Sequence, residues 1–257
     1  MGLSIASLAP QRLRETWRRT QHRLTALEKA QEETGMLLEI LLSDAVHSQA
    51  CELGMHAQPN RRAVVAHLFA NMGLKQAVET GTYLGRTTNY LARTFQVPVY
   101  SSELVPRYHH AARRLLREVP AVHLHLKDSR AFLRELAGRA DITALPTFFY
   151  LDAHWYQDLP LADEIDIIAG AWRDYAILVD DFKVPGDDGY AYDDYGPGKC
   201  LDMDYLKPVL ARNQLRAFFP ATRSKDESGG RPGYVVVVPA VNAAATGGCL
   251  LLSEHAP

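Results

Sequence analysis

The feature that most constrains this chain is a rhythm that begins near residue 61. Short apolar runs of strand character alternate with amphipathic segments of helical period: strands at 77–81, 97–103, 122–127, 147–152 and 175–181, with helices at 85–95, 106–118, 129–137 and 161–171 between them. A further helix at 202–212 leads to runs at 215–219 and 234–238, which are separated only by the polar stretch SKDESGGRPG. Alternation of this kind calls for a parallel sheet covered by helices on both faces, and a last pair without a helix calls for one antiparallel strand. The expectation is a doubly wound, seven-stranded, mostly parallel α/β sheet of Rossmann-like type.

Residues 1–60 read as a helical extension. Leu24, Leu27, Gln31, Thr34, Leu38 and Leu41 recur at helical spacing, and Gly35 is placed to break the segment into two helices. The leader can pack on its own domain or pair with a second copy of the chain as a homo-oligomer. Residues 61–240 form the α/β domain, opened by a helix through Ala63–Met72 that stops at Gly73. Residues 241–257, rich in Ala and Gly, read as a loosely ordered tail.

Composition excludes several classes. A formal charge of −2 leaves no electrostatic footprint for nucleic acid or an anionic membrane. No apolar run reaches the roughly 18 residues of a membrane span, and the start lacks signal-peptide character. Three scattered cysteines, Cys51, Cys200 and Cys249, suit reduced thiols in the cytoplasm.

Polar signals fall at the strand ends, where doubly wound sheets bind ligands. The first is Glu79-Thr80-Gly81-Thr82-Tyr83-Leu84-Gly85. Gly81 permits a tight turn and Gly85 a close approach at the helix start. An acid ending the strand suits a cationic nucleoside such as S-adenosylmethionine (SAM) better than a pyrophosphate, although the same string also arises as an ordinary strand–turn–helix. Glu103 ends the second strand, where a carboxylate accepts ribose hydroxyls in SAM and NAD enzymes alike. Asp128-Ser129 follows the third strand and can meet an adenine edge, cap the next helix, or do both.

Asp152 ends the fourth strand, and Asp180-Asp181 the fifth. Three carboxylates at the ends of buried strands would repel one another, and a divalent cation, magnesium before softer metals, relieves that conflict. Both members of the doublet reach one ion only if the chain turns there. Capping of a turn or helix is the other reading.

The ordered set resembles the metal-dependent class I SAM O-methyltransferases, among them catechol O-methyltransferase and the macrocin-type sugar O-methyltransferases. It covers the glycine loop with Tyr83, then Glu103, Asp128-Ser129, Asp152, and carboxyls 28 and 29 residues further on. The resemblance implies SAM contacts from Glu79, Gly81, Tyr83, Glu103 and Ser129, with Thr82, Gly85, Asp128 and Asp152 in the same site. It implies metal ligation by Asp152, Asp180 and Asp181, and a hydroxylated small molecule as acceptor. Two departures matter. Trp155 stands where the catechol enzymes carry a lysine, and Asp181 where they carry an asparagine, which shifts the likeness towards sugar-modifying enzymes.

An acceptor hydroxyl needs a base. His154 is the first candidate and Lys183 the reserve. Residues 184–200, VPGDDGYAYDDYGPGKC, read as a substrate lid in which Tyr190, Tyr192 and Tyr195 stack on a ring and Asp187, Asp188, Asp193 and Asp194 hold hydroxyls. The string Tyr195-Gly-Pro-Gly-Lys199 mimics a dehydrogenase pair, but its glycines and proline forbid the helix that pair requires. His109-His110 reads as surface. An NAD(P) oxidoreductase, a metal-independent SAM methyltransferase and a catalytically silent SAM-fold scaffold stand as alternatives.

Overall fold

The computed structural model describes residues 54–154 and 158–255, together with residues 19–21, 23–25, 27, 30, 31, 34, 35 and 38 of the leader. The chain divides into two compact units, Met1–Val46 and His47–Pro257. In the first, the described residues are helical. Gly35, read as a break, is itself in helix, and Leu24, Leu27 and Leu38 are exposed. Leu41 lies outside the described residues, as do Cys51 and Trp155.

Among its described residues the second unit has eight strands: β1 Gln76–Thr80, β2 Val99–Glu103, β3 Val122–Leu126, β4 Thr147–Leu151, β5 Tyr175–Val179, β6 Leu215–Pro220, β7 Val235–Pro239 and β8 Leu252–Glu254. They form one sheet in the order β3-β2-β1-β4-β5-β7-β6-β8. The first five strands run parallel. β7 is antiparallel to β5, and β6 is antiparallel to both β7 and β8. The helices are α1 Pro59–Met72, α2 Arg86–Phe95, α3 Pro106–Leu115, α4 Ser129–Ala137, α5 Ala140–Thr143, α6 Leu161–Ala171, α7 Met203–Asn213 and α8 Ala243–Gly247.

The two periodicities explain the layers. Every residue of β1, β4 and β5 is buried. Alternate side chains feed two cores. Val78, Phe149, Ile177 and Val237 meet α4 and α6 residues on one face, while Ala77, Phe148, Leu178 and Val236 meet α1 and α2 residues on the other. α1 has Pro59 in its first turn and stops at Gly73, whose φ of 60° is left-handed.

The tail is not loose. Beyond Pro239, α8 packs on α1 and β8 adds an eighth strand by pairing with β6. Its apolar content is too small to stand out by periodicity, since only Cys249 and Leu252 of its described hydrophobic residues are buried. His109 is also buried, on the inner side of α3, while His110 is exposed. No described helix is long and apolar enough to cross a membrane.

Candidate active site

Strand order reverses between β1 and β4, which lead away from the sheet centre in opposite senses, and this is where a doubly wound sheet opens a crevice. A cavity of about 800 Å³ lies there. Its walls include Gly81, Tyr83, Glu103, Asp128, Ser129, Asp152, His154 and Asp181, so six of the nine residues proposed for the cofactor share one space with the proposed base and one of the doublet.

The glycine loop is fixed by close packing. Gly81 has φ +87°, and a β-carbon there would overlap the carbonyl of Asp152. Gly85 has φ +76°, and its β-carbon would lie 2.5 Å from Leu116. Tyr83 takes φ 49°, rare for a residue with a side chain. Its N–H donates to Glu103 Oε2 at 2.8 Å, and Val105 N–H donates to Oε1 at 2.8 Å. Each oxygen keeps a further lone pair, and Glu103 lines the cavity. Asp128 caps α4 through the N–H groups of Arg130 and Ala131, both at 3.1 Å, and the Arg130 side chain holds it further, so it serves as a cap and as cavity wall together.

Glu79, Thr82 and Gly85 do not line the cavity. The Glu79 side chain turns inward and accepts from Ser101 Oγ at 2.5 Å and from Thr88, and burial pushes its carboxyl up to about 7. Thr82 Oγ1 lies 2.6 Å from the same Ser101 hydroxyl. These residues shape the loop from beneath, and Gly85 packs against α3 and the turn after it.

The aspartate doublet separates. Asp181 has φ 49°, the turn that adjacent residues need if their side chains are to diverge from strand alternation. Asp180 is fully buried and does not line the cavity. Its Oδ1 accepts from Arg61 Nη1 at 2.7 Å, and its Oδ2 lies 2.7 Å from His56 Nε2 and accepts from the Tyr150 hydroxyl. Burial alone would raise its pKa, but Arg61 and His56 outweigh burial and hold it well below the ordinary carboxylate range. The repulsion expected among three carboxylates is thus relieved at Asp180 by side chains of this chain, although Asp180, His56 and Asp181 still offer ligand atoms within 4.8 Å of one another.

A second group of candidate ligands lines the cavity. Asp152, His154 and Asp181 each offer a ligand atom within 4.8 Å of the others. His154 is 3% exposed, and its Nε2 has no hydrogen-bond partner among the described residues. That nitrogen lies 3.9 Å from Asp152 Oδ1, 4.0 Å from Asp181 Oδ2 and 3.8 Å from Asp193 Oδ2. The oxygens of Asp152 and Asp181 gathered at this end of the cavity fit a divalent cation between them, and the buried nitrogen without a hydrogen-bond partner faces the space beside it. Burial pushes the Asp152 carboxyl well above its usual range, with Asp180 and Asp181 adding to it, and raises Asp181 to about 7. Burial lowers His154, which keeps its ring neutral, against the opposing pull of Asp193 and Asp180.

Lys183 lies outside this space. Its ammonium sits 5.0 Å from the ring centroid of Tyr192, which raises its pKa, the wrong direction for a base. The loop 184–200 is tied down rather than free to open. Asp193 N–H donates to the Asp181 carbonyl at 2.9 Å, and Gly233 N–H to Ala191 at 2.7 Å. Tyr190 is buried and donates to Thr222, and Asp187 binds Ser224. Only Asp193 and Tyr195 of the seven proposed lid residues line the cavity, with Tyr195 bonded to Asp193 and to the His154 carbonyl. The backbone of Tyr195 and Lys199 closes a turn, not a helix. His56 and Arg61 carried no signal in sequence: they precede the first strand and belong to no motif.

No protein-family model and no curated protein matches the chain. Among solved structures it is similar to an O-methyltransferase from Bacillus cereus in complex with S-adenosylhomocysteine (SAH), at 19% identity over 79% of this chain and 90% of that one, with a TM-score of 0.53. A SAM-dependent methyltransferase from Aquifex aeolicus shares 11% identity over 76% of this chain and 94% of its own, with a TM-score of 0.48. The mitomycin 7-O-methyltransferase MmcR shares 14% over 70% of this chain and 56% of its own, with a TM-score of 0.46. The chain has the Rossmann-like α/β fold of the Bacillus cereus methyltransferase.

Proposed function

We propose that this chain is a SAM-dependent, divalent-metal-dependent O-methyltransferase acting on a hydroxylated small molecule, a sugar or other polyhydroxylated metabolite. The observation that carries the reading is the unpartnered Nε2 of His154, buried between Asp152, Asp181 and Asp193 at the end of the crevice that Glu103 opens. The structural likeness to a protein crystallised with SAH supports the choice of donor.

Glu103 and the Asp128-Ser129 pair are suited to the ribose and adenine of the donor, and Gly81 lets the backbone come close to it. Asp152 and Asp181 would hold magnesium or a similar cation. When bound, the donor supplies an electrophilic methyl group, and the cation supplies the Lewis acidity that lowers an alcohol's pKa. His154 Nε2, neutral through burial, takes the proton of the acceptor hydroxyl. Asp193, 3.8 Å away, then faces the imidazolium. Tyr195 closes the wall and, with the other side chains, excludes water and orients the acceptor.

The wall near His154 also selects. Among the described residues of the cavity lining, Asp152, Asp158, Asp181 and Asp193 add to Glu103 and Asp128, against Arg107 and Lys127 as its cations. A neutral polyol therefore suits the acceptor end better than a carboxylate or phosphate ester. The test is methyl transfer from radiolabelled SAM to a panel of neutral and anionic hydroxylated acceptors, with chelated enzyme and with added magnesium. Labelled product from neutral acceptors only when magnesium is restored supports the reading. Transfer that survives exhaustive chelation removes the metal from it, and binding of NADPH without SAM removes the donor.

A further inference from the structure

The segment before the first strand reaches the floor of the candidate site through an unusual turn. Met55, His56 and Ala57 are successively left-handed, with φ of 50°, 53° and 55°. Glycines on another loop make this possible. The His56 carbonyl accepts from Gly230 N–H at 2.9 Å, and a β-carbon on Gly229 would lie 2.7 Å from the carbonyl oxygens of both His56 and Ala57. Gln58 Nε2 donates to the carbonyls of Gly230 and Pro232, each at 2.9 Å. The turn delivers His56 to Asp180, and α1 delivers Arg61.

Arg61 is completely buried. It bridges Asp180 Oδ1 and the carbonyl of Pro232, both at 2.7 Å, and its guanidinium stacks 4.6 Å from the ring centroid of Tyr234. The same Asp180 Oδ1 accepts the backbone N–H of Asp181 at 2.8 Å. That bond fixes the peptide preceding the left-handed Asp181, a conformation a side-chain-bearing residue adopts only when its surroundings hold it. Asp181 lines the cavity with Asp152 and His154, its carboxylate within 4.8 Å of ligand atoms of both, as it is of His56 and Asp180.

We propose that Asp180 is a strut and not a cation ligand, and that Arg61 is the positioning residue that holds it so that Asp181 points into the cation site. The proposal rests on the cation reading given above and adds residues to it. A buried carboxylate with a guanidinium, an imidazole, a phenol and a backbone N–H on its two oxygens has its acceptor capacity used. Moving it to an ion would leave the Arg61 charge buried and unpaired, which is strongly unfavourable.

The experiment is a crystal structure of the full chain soaked with Mn2+, located by anomalous scattering, beside Mn2+ titrations followed by electron paramagnetic resonance. The ion is expected on Asp152 and Asp181, with both Asp180 oxygens still on Arg61, His56, Tyr150 and the Asp181 N–H. Arg61→Met is expected to weaken Mn2+ binding by about 10- to 100-fold, the range for partners that orient metal ligands, and Arg61→Lys, which keeps the charge but not the fork, to restore only part of it. An ion bonded to Asp180, or a folded Arg61→Met protein that binds Mn2+ as the wild type does, overturns the proposal. If Arg61→Met does not fold, the soaked wild-type crystal decides. A wild type that binds no Mn2+ anywhere sinks the cation reading and the strut with it, whereas Mn2+ bound through Asp180 sinks the strut alone.

Discussion

The carbonyl of Asp152 occupies the place that a β-carbon on Gly81 would need. Two adjacent strands are locked here, since Asp152 N–H also donates to the Thr80 carbonyl at 2.9 Å. The nucleoside loop and the first proposed cation ligand are therefore one rigid unit.

Gly81→Ala should disturb both at once. The substitution forces a side chain into φ +87° and against backbone, at a cost of roughly 1–3 kcal/mol or more. SAM affinity is expected to fall more steeply than thermal stability, because the loop shifts while the sheet persists. Calorimetric SAM titration beside a melting curve checks this, and unchanged affinity contradicts it.

His154→Gln separates a base from a ligand. As a base, His154 contributes roughly 10²- to 10⁴-fold to turnover. The variant is expected to lose that factor while still binding Mn2+. Loss of Mn2+ binding in the variant would move His154 into the ligand set and leave the proton without this acceptor.

Lys183→Met should leave methyl transfer within about twofold of wild type, as for other substitutions outside buried networks. The side chain lies against Tyr192 and away from the cavity. A loss of two orders of magnitude would return Lys183 to the mechanism.

Glu79 makes a pH prediction for the metal-free, ligand-free protein. Its folded carboxyl sits at about 7, above the roughly 4.3 of an unfolded glutamate. Between those values the native state binds the proton more tightly. Stability therefore falls as pH rises through that window and levels off above it. Glu79→Gln should lose less stability than wild type between pH 5 and pH 8, read from melting temperatures. Equal losses in both proteins contradict the assignment. Glu164, also raised to about 7 by burial, keeps part of the dependence in the variant.

Much of the fold was legible because its physics is local. β1, β4 and β5 are short apolar runs bounded by polar turns, and their boundaries fall within a residue or two of the sequence reading. β8 and α8 were not legible, because their burial depends on the β6 edge and on α1. The site divides along the same line. Gly81, Glu103, Asp128 and Asp152 follow strand ends, so their convergence follows from topology. The inward turn of Glu79 depends on hydroxyls of Thr88 and Ser101, and the capture of Asp180 on Arg61, 119 residues earlier in the chain. No spacing rule anticipates such partners. Nor does sequence reveal that, within residues 184–200, Tyr190 turns into the core while Asp193 and Tyr195 face the cavity.

The most direct test is the number and location of Mn2+ sites in solution. Electron paramagnetic resonance titration of wild type and Asp181→Ala should give one tight site per chain in the first and a loss of about 100-fold or more in the second, the upper end of what disrupting a metal shell costs. No tight site in the wild type, or one indifferent to Asp181→Ala, would contradict the account.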